Sequence, residues 1–161
     1  MPGSQRRIYW DANCFLSYIN EDGTWIETLS TLLEDANNGE FEIVTSILTK
    51  TEVAFSAMER VKRVLTADEE ERIDKLWTAN RGVMVVEYND LVALHARDIR
   101  RGDMIRGWTG YRTADIIQMG TAVYKEVEEM HTTDGGLHRY GSVLGFPVQN
   151  PHTPKQRLPG V

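Results

Sequence analysis

Four short runs rich in β-branched and aromatic residues, Arg7-Ile8-Tyr9-Trp10, Phe41-Glu42-Ile43-Val44-Thr45, Gly82-Val83-Met84-Val85-Val86 and Val127 to Thr132, alternate along the chain with segments of helical periodicity. Such alternation implies an α/β fold: a mainly parallel central sheet, right-handed crossovers, and helices on both faces. The unbroken apolar run 82–86 reads as a strand buried on both sides. Helical periodicity covers Phe15 to Ile19, and again Thr24 through Trp25, Ile26, Leu29, Leu32 and Leu33 up to the breaker Asn37-Asn38-Gly39. Ser46 is placed to cap a helix through Leu48, Glu52, Val53 and Phe55, with a further helical pair at about Met58 to Val64 and Asp68 to Trp77. A long helix is expected from Asn89 to about Arg101, then a loop from Gly102 to Arg112, then a helix capped by Thr113 and running from Ala114 to about Tyr124.

At 161 residues the chain has room for one domain, expected over 1–147. Four of its five prolines lie in the last fifteen residues, so 148–161 is expected to be an extended or disordered tail. No apolar run approaches the roughly 18 residues of a membrane span, and the N-terminus lacks the pattern of a secretory signal, which makes the cytoplasm the expected compartment. The lone Cys14 excludes an intramolecular disulfide framework and reads as a buried small hydrophobe, since no basic partner stands beside it. The four histidines show no ligand spacing with it, and none is assigned a catalytic role. Eighteen basic against 24 acidic residues give a net charge of -6, so a nucleic-acid partner would need a local basic patch or bound cations.

The acids themselves carry the chemistry. Asp11 and Asp134 each follow a strand, and therefore fall on the same edge of a parallel sheet. Glu52 lies within two turns of a helix start and Asp115 in the first turn of another, facing that same edge. Four converging carboxylates repel one another unless cations occupy the cluster, and hard oxygen donors suit Mg²⁺ or Mn²⁺. The reaction this suggests is metal-assisted phosphodiester hydrolysis at a two-metal carboxylate site.

The stretches Ile8-Tyr9-Trp10-Asp11-Ala12-Asn13, Thr45 to Val53, Arg112 to Ala122 and His131-Thr132-Thr133-Asp134 occur in the order and spacing of a known family. With them the chain resembles the PIN-domain family of metal-dependent ribonucleases, and in particular the small VapC-type toxins of prokaryotic toxin–antitoxin pairs. The resemblance implies a three-layer α/β/α fold. It places the catalytic and metal-binding acids at Asp11, Glu52, Asp115 and Asp134, and matches Asn13, Ser46 and Thr132 to positions that help orient carboxylates or water. It further implies an RNA substrate, Mg²⁺ or Mn²⁺ as cofactor, and a cognate antitoxin that inserts a basic side chain among the acids; a homodimer is also expected. Gln118, Gly120, the 102–111 loop and the proline-bearing tail depart from the family pattern.

Arg97, Arg100 and Arg101 share a helical face, and Arg106 and Arg112 follow near Trp108 and Tyr111, a combination suited to holding RNA phosphates while an aromatic ring stacks on a base. The alternative reading is a solvated face balanced by Asp98 and Asp103. Two other functions compete with RNA cleavage: a PIN-like module that binds RNA or protein without cutting, and a phosphatase with Asp11 as nucleophile. The second expects an acid two residues on, where this chain has Asn13.

Overall fold

The computed structural model describes residues 5–154. Five strands, β1 (Arg7–Trp10), β2 (Glu42–Ser46), β3 (Val83–Val86), β4 (Glu129–His131) and β5 (Val148–Gln149), form one sheet in the order β3-β2-β1-β4-β5. Every pairing is parallel. Because side chains alternate across a strand, β1 feeds both faces. Ile8 and Trp10 enter a core with Phe15, Leu29, Val53 and Ile73, from helices α1 (Ala12–Ile19), α2 (Ile26–Asn37), α3 (Ile47–Val61) and α4 (Ala67–Thr78). Tyr9 enters the opposite core with Ile99, Ile116 and Met119, from α5 (Asp90–Arg106) and α6 (Thr113–Tyr124). The result is the three-layer α/β/α architecture expected from the alternation.

Several boundaries differ from the sequence reading. The run 82–86 forms an edge strand, so Val83, Met84 and Val85 are only half-buried. Helix α5 passes straight through Gly102 and ends at Gly107, whose positive φ of 74° closes the helix. Its extra length has a physical cause. Asp103, expected on a solvated face, is fully buried, where it accepts a 2.7 Å hydrogen bond from the Tyr140 hydroxyl and lies 3.5 Å from the Arg106 guanidinium. The missing Cβ of Gly102 leaves room for that guanidinium, which a side chain there would meet at 2.6 Å.

Two further corrections concern segment ends. Arg112, rather than Thr113, occupies the N-cap of α6 and makes no side-chain capping bond. Val148 and Gln149, assigned to the tail by their prolines, instead pair with Met130 and His131 as the fifth strand. The strand ends before Pro151 and needs no donor from it. Beyond β4 a 3-10 segment (Gly135–Tyr140) and the short α7 (Gly141–Leu144) lead into β5. The rest of the expected tail, 155–161, lies outside the described residues.

Gly120, an unfavourable residue for a helix interior, lets α6 approach α5 closely. A Cβ there would stand 3.0 Å from the Ala96 amide nitrogen and 3.1 Å from the Val92 carbonyl oxygen. Gly120→Val is therefore expected to overpack this seam and cost about 2 kcal/mol, a fall in Tm of about 4–8 °C for a chain of this size. Calorimetry of the two proteins checks it.

Candidate functional site

Parallel strands bring their carboxyl ends to one edge, and there the acids gather. Asp11 follows β1 directly and caps α1: the Cys14 amide donates to its Oδ1 at 3.3 Å. Thr132, one residue past the neighbouring β4, donates its hydroxyl to Asp11 Oδ2 at 2.5 Å. The same hydroxyl accepts the Asp134 backbone N–H at 3.1 Å, so Thr132 ties the two strand-end acids together. Asp134 is exposed and starts the 3-10 segment, its Oδ1 accepting from the Gly136 amide at 2.9 Å.

The other two acids arrive on helices. Glu52 projects from α3, and its Oε1 accepts a 2.7 Å bond from Gln118 Nε2 on α6. Asp115 stands in the first turn of α6. Arg112 reaches both, 3.7 Å from Glu52 Oε2 and 3.4 Å from Asp115 Oδ1, while its own side chain stays largely exposed.

Asp11, Glu52 and Asp115 share one electrostatic field, and Asp134 joins the latter two around Arg112. Burial pushes the Asp11 carboxyl up to about 7; Asp115 and Glu52 raise it further, while the Thr132 and Cys14 hydrogen bonds pull the other way. Asp115, with smaller contributions from Glu52 and Asp134, holds the Arg112 guanidinium more firmly protonated than usual. No three of the four acids bring their oxygens within 4.8 Å of one another. This spacing is wider than a single dehydrated ion requires, and suits ions that keep several waters. The donor set is all oxygen, the deepest acid is ionised only at a cost, and one guanidinium faces three of the carboxylates. These residues fit Mg²⁺ or Mn²⁺.

Behind the carboxylates lies a buried polar network that the sequence reading missed. The Tyr9 hydroxyl donates to Gln118 Oε1 and accepts from the Ser46 amide at 3.1 Å. Gln118 Nε2 also donates to Thr49 Oγ1 at 3.0 Å. Gln118, noted only as a departure from a family pattern, thus links the core tyrosine to Glu52. Its signal was available: it lies three residues after Asp115, on the same side of the helix.

The remaining candidates are placed as follows. Ser46 caps α3 through the Leu48 amide at 3.1 Å, and Asn13 is half-buried in the first turn of α1. Arg97 is exposed on α5, Arg101 pairs with Asp98 at 3.3 Å, and Arg100 donates to the Tyr111 carbonyl at 3.0 Å. Arg112 sits with the carboxylates instead. Arg106 and Arg139 lie over the Trp108 ring at 4.6 and 3.9 Å from its centroid, covering the aromatic that was expected to stack on a base. Cys14 is fully buried and donates to the His131 carbonyl at 3.3 Å, and burial holds its thiol well above its ordinary pKa.

A family model described as PIN domain matches residues 8–143. No curated protein matches the chain by sequence at a significant level. Among solved structures, the DNA-bound VapBC from Salmonella typhimurium is similar at 16% identity and a TM-score of 0.64, over 90% of this chain and 98% of that one. VapBC2 from Rickettsia felis, bound to a DNA fragment from its promoter, is similar at 12% identity and a TM-score of 0.63, over 89% and 98%. The Mycobacterium tuberculosis toxin VapC20, described as cleaving the sarcin-ricin loop, is similar at 16% identity and a TM-score of 0.62, over 83% and 95%. At these identities the likeness is one of fold.

Proposed function

The chain belongs to the PIN-domain family, and from that premise we propose that it is a Mg²⁺- or Mn²⁺-dependent endoribonuclease of the VapC type, hydrolysing RNA phosphodiester bonds. The observation that carries this reading is the buried Asp11 at the carboxyl end of the central strand, in one field with Asp115 and Glu52. Asp11, Glu52, Asp115 and Asp134 would hold the ions, whose chemistry is to lower the pKa of water and to neutralise charge on the phosphate. Thr132 and Gln118 position the oxygens of Asp11 and Glu52 through the hydrogen bonds already described. Arg112, anchored at Glu52 and Asp115 but mostly exposed, is free to turn and pair with an RNA phosphate.

Exposed Arg97 and Arg101 lie on α5 as further phosphate contacts. The similar structures include a toxin–antitoxin complex from Klebsiella pneumoniae, and a small antitoxin is proposed as this chain's partner. It would present a basic side chain where Arg112 now sits. A homodimer is part of the same proposal: Met104 and Ile105, 74% and 81% exposed near the end of α5, offer apolar surface for such a contact. We take 1–147 with β5 as the nuclease domain, and the cytoplasm as its place of action; no helix among the described residues is long and apolar enough to cross a membrane.

The test is cleavage of a mixed, structured RNA pool by the wild type and by Asp115→Asn, each with Mg²⁺, Mn²⁺ or EDTA. Cleavage that requires the ion and falls roughly 10²-fold or more in a folded Asp115→Asn is the expected result. Metal-independent cleavage, or full activity in the variant, would remove the assignment. Ion binding without any cleavage would favour the non-cutting module.

A further inference from the structure

A second cluster of ligand-type side chains lies away from the acids discussed so far. Glu129 and His131 alternate along β4, so both project from the same face. Three residues past β5 the chain returns His152 to them. His131 Nε2 lies 3.0 Å and His152 Nε2 3.6 Å from the same oxygen, Glu129 Oε1. Their ligand atoms all fall within 4.8 Å of one another, as in no other set of three histidine, cysteine or acidic residues among those described. His131 is fully buried, Glu129 is 2% exposed, and the two imidazole rings stand 4.9 Å apart. Gln149, on β5, closes the group: its Nε2 is 2.9 Å from His152 Nε2 and 3.4 Å from Glu129 Oε2.

We propose that Glu129, His131 and His152 form a binding site for a first-row transition ion, Zn²⁺ foremost, that fastens the segment after β5 to β4. Two imidazole nitrogens and one carboxylate oxygen are the donors such ions prefer, and Mg²⁺ does not. An imidazole must be neutral to bind a metal, so binding releases any proton the two rings hold. Turning the Gln149 amide about its last bond exchanges Nε2 for Oε1 and supplies an oxygen as the fourth donor of a tetrahedral shell. Among the described residues, the Arg6 guanidinium lies 3.7 Å from Glu129 Oε1, a charge an incoming ion would displace; it is partly exposed and already paired with Glu128 at 2.7 Å. The chain would then carry two ion sites of different chemistry: oxygen donors for hard ions at the strand ends, and nitrogen donors for a softer ion beside β5.

The test uses the full chain freed of metal with a chelator. Co²⁺, a coloured stand-in for Zn²⁺, is followed by its visible absorption, and Zn²⁺ by calorimetric titration and by Tm. Wild type is expected to bind one Co²⁺ or Zn²⁺ per chain at this site, with a rise in Tm of about 5 °C or more at a hundredfold excess over the dissociation constant. Mg²⁺ at the same concentration should not produce the absorption or displace it. His152→Gln, at a half-buried position, should weaken binding at least about a hundredfold, while Asp11→Asn should leave it intact. His131→Gln gives the same loss if it folds. Absence of the Co²⁺ signal overturns the proposal, as does binding that survives His152→Gln or is lost in Asp11→Asn. None of these readouts depends on RNA cleavage.

Discussion

Asp11→Asn is expected to abolish Mg²⁺-dependent RNA cleavage, by on the order of 10³-fold or more, and at the same time to make the metal-free protein more stable than wild type above neutral pH. The second effect follows from linkage. Burial raises the folded-state pKa of Asp11 from 3.8 to about 7, so between those values the folded chain binds more protons than the unfolded one, and stability falls as pH rises. Below about pH 4 the carboxyl is protonated in both states and costs nothing. Above pH 7 the whole cost of a buried charge is present, about 4 kcal/mol at 1.36 kcal/mol for each unit. Asparagine has no such charge. In EDTA at pH 8 the variant should therefore melt of order 10 °C higher than wild type, and the gap should narrow toward pH 4. Adding Mg²⁺ at pH 8 should stabilise wild type and leave the variant nearly unmoved. Thermal melts of both proteins at the two pH values, with and without the ion, decide the matter; a variant less stable than wild type at pH 8 would show that Asp11 bears no uncompensated charge.

The next largest effect is expected at Gln118, through two routes at once. Leucine at this position fills the space but removes the present acceptor of the Tyr9 hydroxyl in a fully buried site, and frees Glu52 from its 2.7 Å bond. An unsatisfied buried hydroxyl costs about 1–3 kcal/mol, and with the bond to Thr49 also lost the total should approach 3 kcal/mol, a fall in Tm of about 6–12 °C. Cleavage should drop roughly 10–100-fold with the loss of a group that orients a ligand. Tyr9→Phe combined with Gln118→Leu removes both partners and should recover part of the stability, but none of the activity. Recovery of both together would mean that Glu52 does not depend on Gln118.

What the sequence made legible was whatever rests on local periodicity and on chain direction. Strands that end at Asp11 and near Asp134 share an edge as soon as the sheet is parallel, and the placing of Glu52 and Asp115 near the starts of two helices at that edge follows from the same geometry. What stayed hidden depended on partners far away in sequence. Gly102 reads as a loop until its missing Cβ is set against the Arg106 guanidinium, and Asp103 reads as solvated until Tyr140 is found to cover it. Val83 to Val85 look like a central strand because composition does not tell which strand lies at the edge. His131 and His152 are twenty-one residues apart and share no ligand spacing; only the pairing of β4 with β5 brings them to one glutamate.

The position of β1 bears on the order in which function appears as the chain is made. The first strand lies in the middle of the sheet, held by β2 on one side and by β4 on the other. Its pairing with β2 is available early, whereas Trp10 waits for His131, and Asp11 for the hydroxyl of Thr132. A growing polypeptide therefore carries its first acid without the Thr132 hydroxyl until the segment after β4 has been made. The centre closes only when the segment bearing Thr132 and Asp134 has emerged from the ribosome and taken its place. Under the proposed function, a chain assembled in this order holds no complete catalytic centre before that segment is in place.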